Sequence, residues 1–221
     1  MNNLSDAGQL PDYGWTSVEA EKSHQYLEPV VLKAIRRIDA ERVDRRAPLR
    51  VFDAGCGNGA LLQRLQSCNY EVAGCDGSES GTRHAAVLCG PNARVLHMSV
   101  YDDMCSAFGG NWDVVVSTEV IEHLYSPRQF LRRVDAMLAP TGSIVLSTPY
   151  HGYFKNLALA VTGTMDAHFT ALWDGGHIKF WSKRTLRELL NEFGYSRVEF
   201  LGAGRVPGLW KSTVLLARRA R

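Results

Sequence analysis

An α/β fold with a mostly parallel sheet is predicted by two features of the chain. From residue 49 to 149, short apolar runs alternate with segments of helical period, a pattern that places helices on both faces of a parallel sheet. After residue 196, two more apolar runs, "RVEFLGA" and "STVLLA", are joined by a Gly/Pro loop with no room for a crossover helix. They therefore form an antiparallel pair at the sheet edge. The length of 221 residues suits one domain with a substantial core.

Residues 1–18 read as an arm, with Pro11 and Gly14 as breakers. From Glu19 to Arg42, Tyr26, Val30, Leu32 and Ile35 recur near helical spacing despite Pro29, and Pro48 ends that segment. "LRVFDAG" is a buried strand followed by a helix from Ala60 to Leu65. "YEVAGCD" is a second strand with a helix over 78–89. "ARVLHM" and "WDVVVS" are a third and fourth, the latter followed by a helix over 127–138, and "GSIVLSTP" is a fifth. Residues 150–181 break the alternation with a short apolar helix, "YFKNLALAV", and an aromatic, histidine-rich loop. The next helix, "KRTLRELLNEF", sets Leu186, Leu189, Leu190 and Phe193 on one face, with Ser182 as N-cap and Gly194 past its end. One domain thus divides into an arm and helix (1–48), a ligand-binding half (49–149), a lid insertion (150–181) and a C-terminal helix with two strands (182–221).

Charge bounds the partners. Lys and Arg number 25 against 23 Asp and Glu, so no overall field recruits nucleic acid, and the terminal "ARRAR" reads as a solvated tail. Five cysteines form no CxxC pair and no zinc-spaced set, and no His/Asp/Glu group is read as having short metal-ligand spacing, so no metal is expected. The polar opening "MNNLSDAGQLPDYG" lacks an apolar signal region, and no apolar stretch reaches membrane-spanning length. The expectation is a reduced, cytoplasmic protein without stable membrane insertion, monomeric or homodimeric.

"VFDAGCGNGALLQRL" (51–65) carries the ligand chemistry. Gly55, Gly57 and Gly59 permit a sharp strand-to-helix turn and let a ligand lie against bare backbone. The segment also satisfies GxGxxA, a form of the dinucleotide fingerprint. Asp53 argues against a phosphate: at the carboxyl end of the strand it would repel a pyrophosphate. The lysine of a phosphate-binding loop is absent too, since Ala-Leu-Leu follows Gly59. A cationic or neutral group suits this place, unless Asp53 merely caps the helix or orders the loop. Asp76 ends the second strand, where a carboxylate can hold both ribose hydroxyls or can cap the next helix. Asp102 or Asp103, after the third strand, falls where an adenine amino group would lie.

With these motifs the chain resembles class I S-adenosylmethionine-dependent methyltransferases. "VFDAGCGNG", "VAGCD" and "WDVVVSTEVIEHL" are similar to the family's successive motifs. "STPYHGY" and "DGGHIKFWSKRTLRELLNEFGY" resemble the branch of ubiquinone-biosynthesis O-methyltransferases. The resemblance covers about residues 49–217. It implies a Rossmann-like, doubly wound seven-stranded sheet of order 3-2-1-4-5-7-6 with strand 7 antiparallel. It also implies that Asp53, Gly55, Cys56, Gly57 and Gly59 border the methionine part of S-adenosyl-L-methionine. Asp76 and Gly77 would hold its ribose and Asp102 its adenine, with Glu119 to His123 beside the methyl-transfer site and Glu119 on the cofactor side.

Methyl transfer needs acceptor, methyl carbon and sulfur nearly in line, so alignment supplies much of the acceleration. An oxygen acceptor must also lose a proton, which suits a histidine base. Candidates are His151, His177 and His123. Tyr150, Tyr153, Phe154, His168, Trp173 and Asp174 are candidates for acceptor binding, with Phe169, Phe180 and Trp181 as further walls or as plain lid packing. "YFKNLALAVTG" could dip into a membrane toward a lipid or quinone precursor, or simply be buried. O-methylation of a small molecule is the preferred reading. N- or C-methylation, an RNA methyltransferase, a non-catalytic cofactor-binding subunit and an NAD-dependent oxidoreductase remain alternatives.

Overall fold

The computed structural model describes residues 22–169, 172 and 175–219. The arm expected over 1–18, and Trp173 and Asp174, lie outside these residues. Helix α1 (Lys22–Ala40) opens the described chain. Then follow β1 (Arg50–Ala54), α2 (Ala60–Gln66), β2 (Glu71–Asp76), α3 (Glu79–Cys89), β3 (Ala93–His97), α4 (Met104–Phe108) and β4 (Trp112–Thr118). The second half runs α5 (Pro127–Met137), β5 (Leu138–Pro149), α6 (Tyr153–Val161), α7 (Met165–Phe169), α8 (Lys183–Asn191), β6 (Arg197–Ala203) and β7 (Ser212–Arg218).

The seven strands form one sheet in the order β3-β2-β1-β4-β5-β7-β6. Pairings among β1 to β5 are parallel, while β7 runs antiparallel to both β5 and β6. The carboxyl ends of β1, β2, β4 and β5 therefore share one edge of the sheet, where ligands of open α/β sheets bind.

Both faces of the central strands are covered, which explains why their sequences are apolar throughout rather than alternating. Successive residues of β1 serve opposite layers: Val51 packs with α1, α2 and α3, and Phe52 with α4, α5 and α8. Asp53 falls on the same side of the pleat as Val51. Helix α1 buries Leu27, Val31, Leu32, Ile35 and Ile38. Tyr26 and Val30 are only partly buried, so its inward face is rotated from the one the spacing suggested.

Caps explain the helix starts. The Ser78 side chain accepts from Gly81 N–H to begin α3, and Asp103 accepts from Ser106 N–H to begin α4. Ser182 and Thr185 form a reciprocal capping box at α8. Helices α4 and α7, five residues each, were not anticipated. At that length hydrophobic periodicity has no second turn in which to show itself.

Candidate active site

The turn after β1 is dictated by backbone conformation. Gly55, Gly57 and Gly59 have φ of 92°, 50° and 82°, in the left-handed region that side chains disfavour. A Cβ on Gly55 would lie 2.4 Å from Val120 Cγ2, and one on Gly59 would lie 2.7 Å from Ala85. The close approach expected from a ligand is thus, at these two positions, an approach of the protein to itself. Gly57, also buried, uses its N–H to donate to Asp76 Oδ2 at 2.8 Å.

Asp76 also accepts from Ser78 N–H through Oδ1 at 2.7 Å. It ties the glycine loop to the start of α3, yet Ser78 rather than Asp76 caps that helix. Cys56 is buried beneath the loop, and burial pushes its thiol well up. Gly77 stays partly exposed next to Asp76, with its carbonyl 3.0 Å from His97 Nε2. Asp53 is 1% exposed, and its Oδ1 has no hydrogen-bond partner among the described residues. It neither caps a helix nor orders the loop through that oxygen. Burial, and then the charge of Asp76, pushes its carboxyl up to about 8. Asp102 is exposed and accepts from Ser99 N–H at 2.9 Å, whereas Asp103 is engaged as the α4 cap.

A second group gathers beyond β4 and β5. Glu119 has φ 55°, rare for a side chain with a Cβ and common at functional sites. Ser147 Oγ donates to its Oε1 at 2.7 Å and Ser212 Oγ to its Oε2 at 3.3 Å. Burial nevertheless pushes this carboxyl up to about 7. Glu122 is fully buried, and among the described residues neither carboxylate oxygen makes a well-formed hydrogen bond, although the Thr148 hydroxyl acts on it; burial and then Glu119 push it well above its ordinary range.

His123 and His177 stand edge to face with ring centroids 4.9 Å apart. Donor atoms of Glu122, His123 and His177 all lie within 4.8 Å of one another. His123 Nδ1–H donates to the Gly176 carbonyl at 3.2 Å, which leaves Nε2 carrying the lone pair of a neutral ring. Burial lowers the pKa of His123, and burial followed by His123 lowers His177 to about 4. An unpartnered buried carboxylate beside two neutral imidazoles is a set that divalent cations accept. Sequence reading missed this set, although "EVIEH" places Glu119, Glu122 and His123 within five residues. The third donor comes from across the lid segment, 54 residues later.

His151, just past β5, lies among aromatic rings. Phe169 stacks on it at 6.2 Å, Phe180 meets its edge at 5.2 Å, and His168 stands 5.8 Å away. Burial, then Lys155, holds His151 down to about 4, and burial also lowers His168. The remaining candidates are not part of this group. Tyr153 and Phe154 are 74% and 67% exposed on α6. Tyr150 packs on Trp210 at 5.2 Å, and Trp181 donates to the Ile121 carbonyl at 3.2 Å while packing on the core. Among the described residues no helix is long and apolar enough to cross a membrane.

The sequence matches the methyltransferase domain family over residues 24–199. It is similar to the ubiquinone biosynthesis O-methyltransferase of Bradyrhizobium diazoefficiens, 31% identical over 150 residues that cover 66% of this chain and 56% of that protein. To the protein of the same name from Thiobacillus denitrificans it is 28% identical, covering 91% of this chain and 88% of that one. In structure it is similar to magnesium protoporphyrin IX methyltransferase from Synechocystis PCC 6803, solved with bound SAH. The TM-score is 0.63 at 18% identity, covering 88% of this chain and 82% of that one, a likeness of fold.

Proposed function

The chain belongs to the methyltransferase domain family, and from that premise we propose that it transfers the methyl group of S-adenosylmethionine to a hydroxyl oxygen of a small aromatic acceptor. The observation that carries the reading is the pairing of two groups on one sheet edge. One is an acidic glycine loop unsuited to phosphate, the other a set of one buried carboxylate and two partly exposed, neutral imidazoles. The sulfonium and ammonium of the donor suit Asp53, and its ribose hydroxyls suit Asp76, whose oxygens already accept two backbone N–H bonds. The printed names of the relatives, which are O-methyltransferases, support oxygen as the atom methylated and a quinone precursor as the acceptor class.

The base is the harder part. A histidine held near 4, as His151 is, takes a hydroxyl proton poorly at neutral pH. The set of Glu122, His123 and His177 addresses this difficulty. Its orphaned carboxylate oxygens fit a divalent cation, which when bound would lower the pKa of a coordinated hydroxyl and hold its oxygen for attack. The chain's own residues do the rest. Phe169 and Phe180 cluster with His151 into an aromatic surface on which the ring of an acceptor can stack. The exposed apolar side chains of α6 suit an acceptor carrying a hydrocarbon tail.

The test is incubation with labelled S-adenosylmethionine and a panel of catechols, phenols, quinone precursors, amines and lipids, with and without magnesium, manganese or zinc, read by mass spectrometry. Label on the oxygen of a catechol-type acceptor, dependent on added cation, is expected. Label confined to amines or carbon, or turnover indifferent to chelators, overturns the oxygen or the cation part respectively. Binding of donor with no turnover on any acceptor favours a non-catalytic subunit, and binding of nicotinamide cofactor instead favours an oxidoreductase.

A further inference from the structure

Asp53 is a buried titratable group left without a chemical role by the methyl-transfer step itself. The residue is 1% exposed, and its Oδ1 has no hydrogen-bond partner among the described residues. The residue lies in the middle of the sheet, paired in register with Gly74 of β2 and Val116 of β4. The titratable groups facing it are Asp76 from β2, Cys56 from the glycine loop, Cys75 from β2 and Cys89 from α3. Burial pushes all three thiols up, so none offers it a counter-charge, and Asp76 is a like charge. A carboxylate in that position meets no counter-charge among the described residues.

We propose that Asp53 holds a proton while the site is empty and surrenders it to solvent when the cationic methyl donor binds, which makes Asp53 the residue that selects a positively charged cofactor. The inference rests on the S-adenosylmethionine reading above. In balance, the neutral carboxyl and the singly positive donor become a carboxylate–cation pair plus one released proton. The breaking bond is the carboxyl O–H, and its proton goes to buffer. The donor's ammonium and sulfonium supply the partner that Oδ1 lacks. Asp76 differs, because its two backbone N–H partners stabilise its charge before any ligand arrives. The two acids, on the neighbouring strands β1 and β2, thus divide the work: Asp76 orders the glycine loop, and Asp53 reads charge.

Calorimetry of S-adenosylmethionine binding to the full chain, in phosphate and in Tris at one pH near 7, counts the protons released. The wild type is expected to release nearly one per donor bound and Asp53→Asn none, with the donor's own amino group acting equally in both. Donor affinity of the wild type should rise about tenfold per pH unit between pH ~5 and ~7, then flatten near 8. Infrared difference spectra of the wild type should show a protonated carboxyl band lost on donor addition, which keeps the test open if the variant does not fold. Tight binding without proton release, a flat pH dependence, or equal release by Asp53→Asn overturns this inference and leaves the cofactor reading standing. Failure of the wild type to bind the donor at all overturns both.

Discussion

The two halves of the ligand edge are built by different means. The cofactor side comes from one short stretch, Asp53 to Ser78, and is held by backbone: three positive-φ glycines and an aspartate accepting two N–H bonds. The proposed acceptor side is assembled from Glu119 to His123, Ser147 to His151, Phe169, His177 and Phe180, and Ser212 on β7. It is held by side chains. A site made of turns tolerates little change in conformation, whereas a site made of side chains tolerates changes of packing and fails by losing a single group.

The largest expected effect lies within the loop, where the three glycines should part company. Gly59→Val sets a branched side chain on a left-handed backbone and into Ala85, and should cost several kcal/mol, seen as loss of a cooperative thermal transition. Gly57→Val sets the same side chain on a left-handed backbone, a strain of about 1–3 kcal/mol, beside the N–H that donates to Asp76. It should stay folded yet lose donor affinity by two orders of magnitude or more, by calorimetry. Equal behaviour of the two variants would erase the distinction between glycines that serve packing and the one that serves the ligand.

Next is the pH dependence of the ligand-free protein. The folded pKa of Asp53 is raised to about 8 from its ordinary 3.8, so its share of stability is present in full below pH ~4 and is lost as pH rises through 8. The slope approaches ~1.4 kcal/mol per pH unit inside that window, and denaturant melts of Asp53→Asn should be flatter by that amount. A wild type whose stability climbs steadily from pH 5 to 8 would place the dominant titration elsewhere.

On the acceptor side, Glu122→Gln should lower kcat by on the order of 10²-fold while leaving donor Kd within about twofold. A matched loss of donor affinity would merge the two regions into one. Phe180→Ala should do least, raising KM for an aromatic acceptor about tenfold, in keeping with ~1–2 kcal/mol of partly buried ring surface, with kcat and donor affinity little changed. A change in kcat instead would mean that the ring aligns the acceptor rather than merely binding it.

This division also explains which parts could be read from sequence. "VFDAGCGNG" and "VAGCD" announce their chemistry because left-handed turns demand glycine and because strand ends have a fixed place at the sheet edge. The strand order followed from the family resemblance, and β7 falls between β5 and β6 as that resemblance implied. The histidines were individually visible but could not be sorted. His123 and His177 meet each other, while His151 and His168 meet Phe169 and Phe180, and no spacing in the chain distinguishes these pairings. Tyr153 and Phe154, candidates for acceptor binding, stand exposed on α6, and composition alone does not say which way a short helix faces.

Sequence alone determined the α/β alternation, the glycine turn and the acid that argues against phosphate, since each depends on constraints acting within a few residues. Tertiary structure alone decided three things. Gly55 and Gly59 face Val120 and Ala85, Asp53 is buried with its Oδ1 unpartnered among the described residues, and Glu122 meets His177 of the lid. The physical reason is that backbone torsion is a local property, whereas burial and the company a side chain keeps depend on segments that only folding brings together.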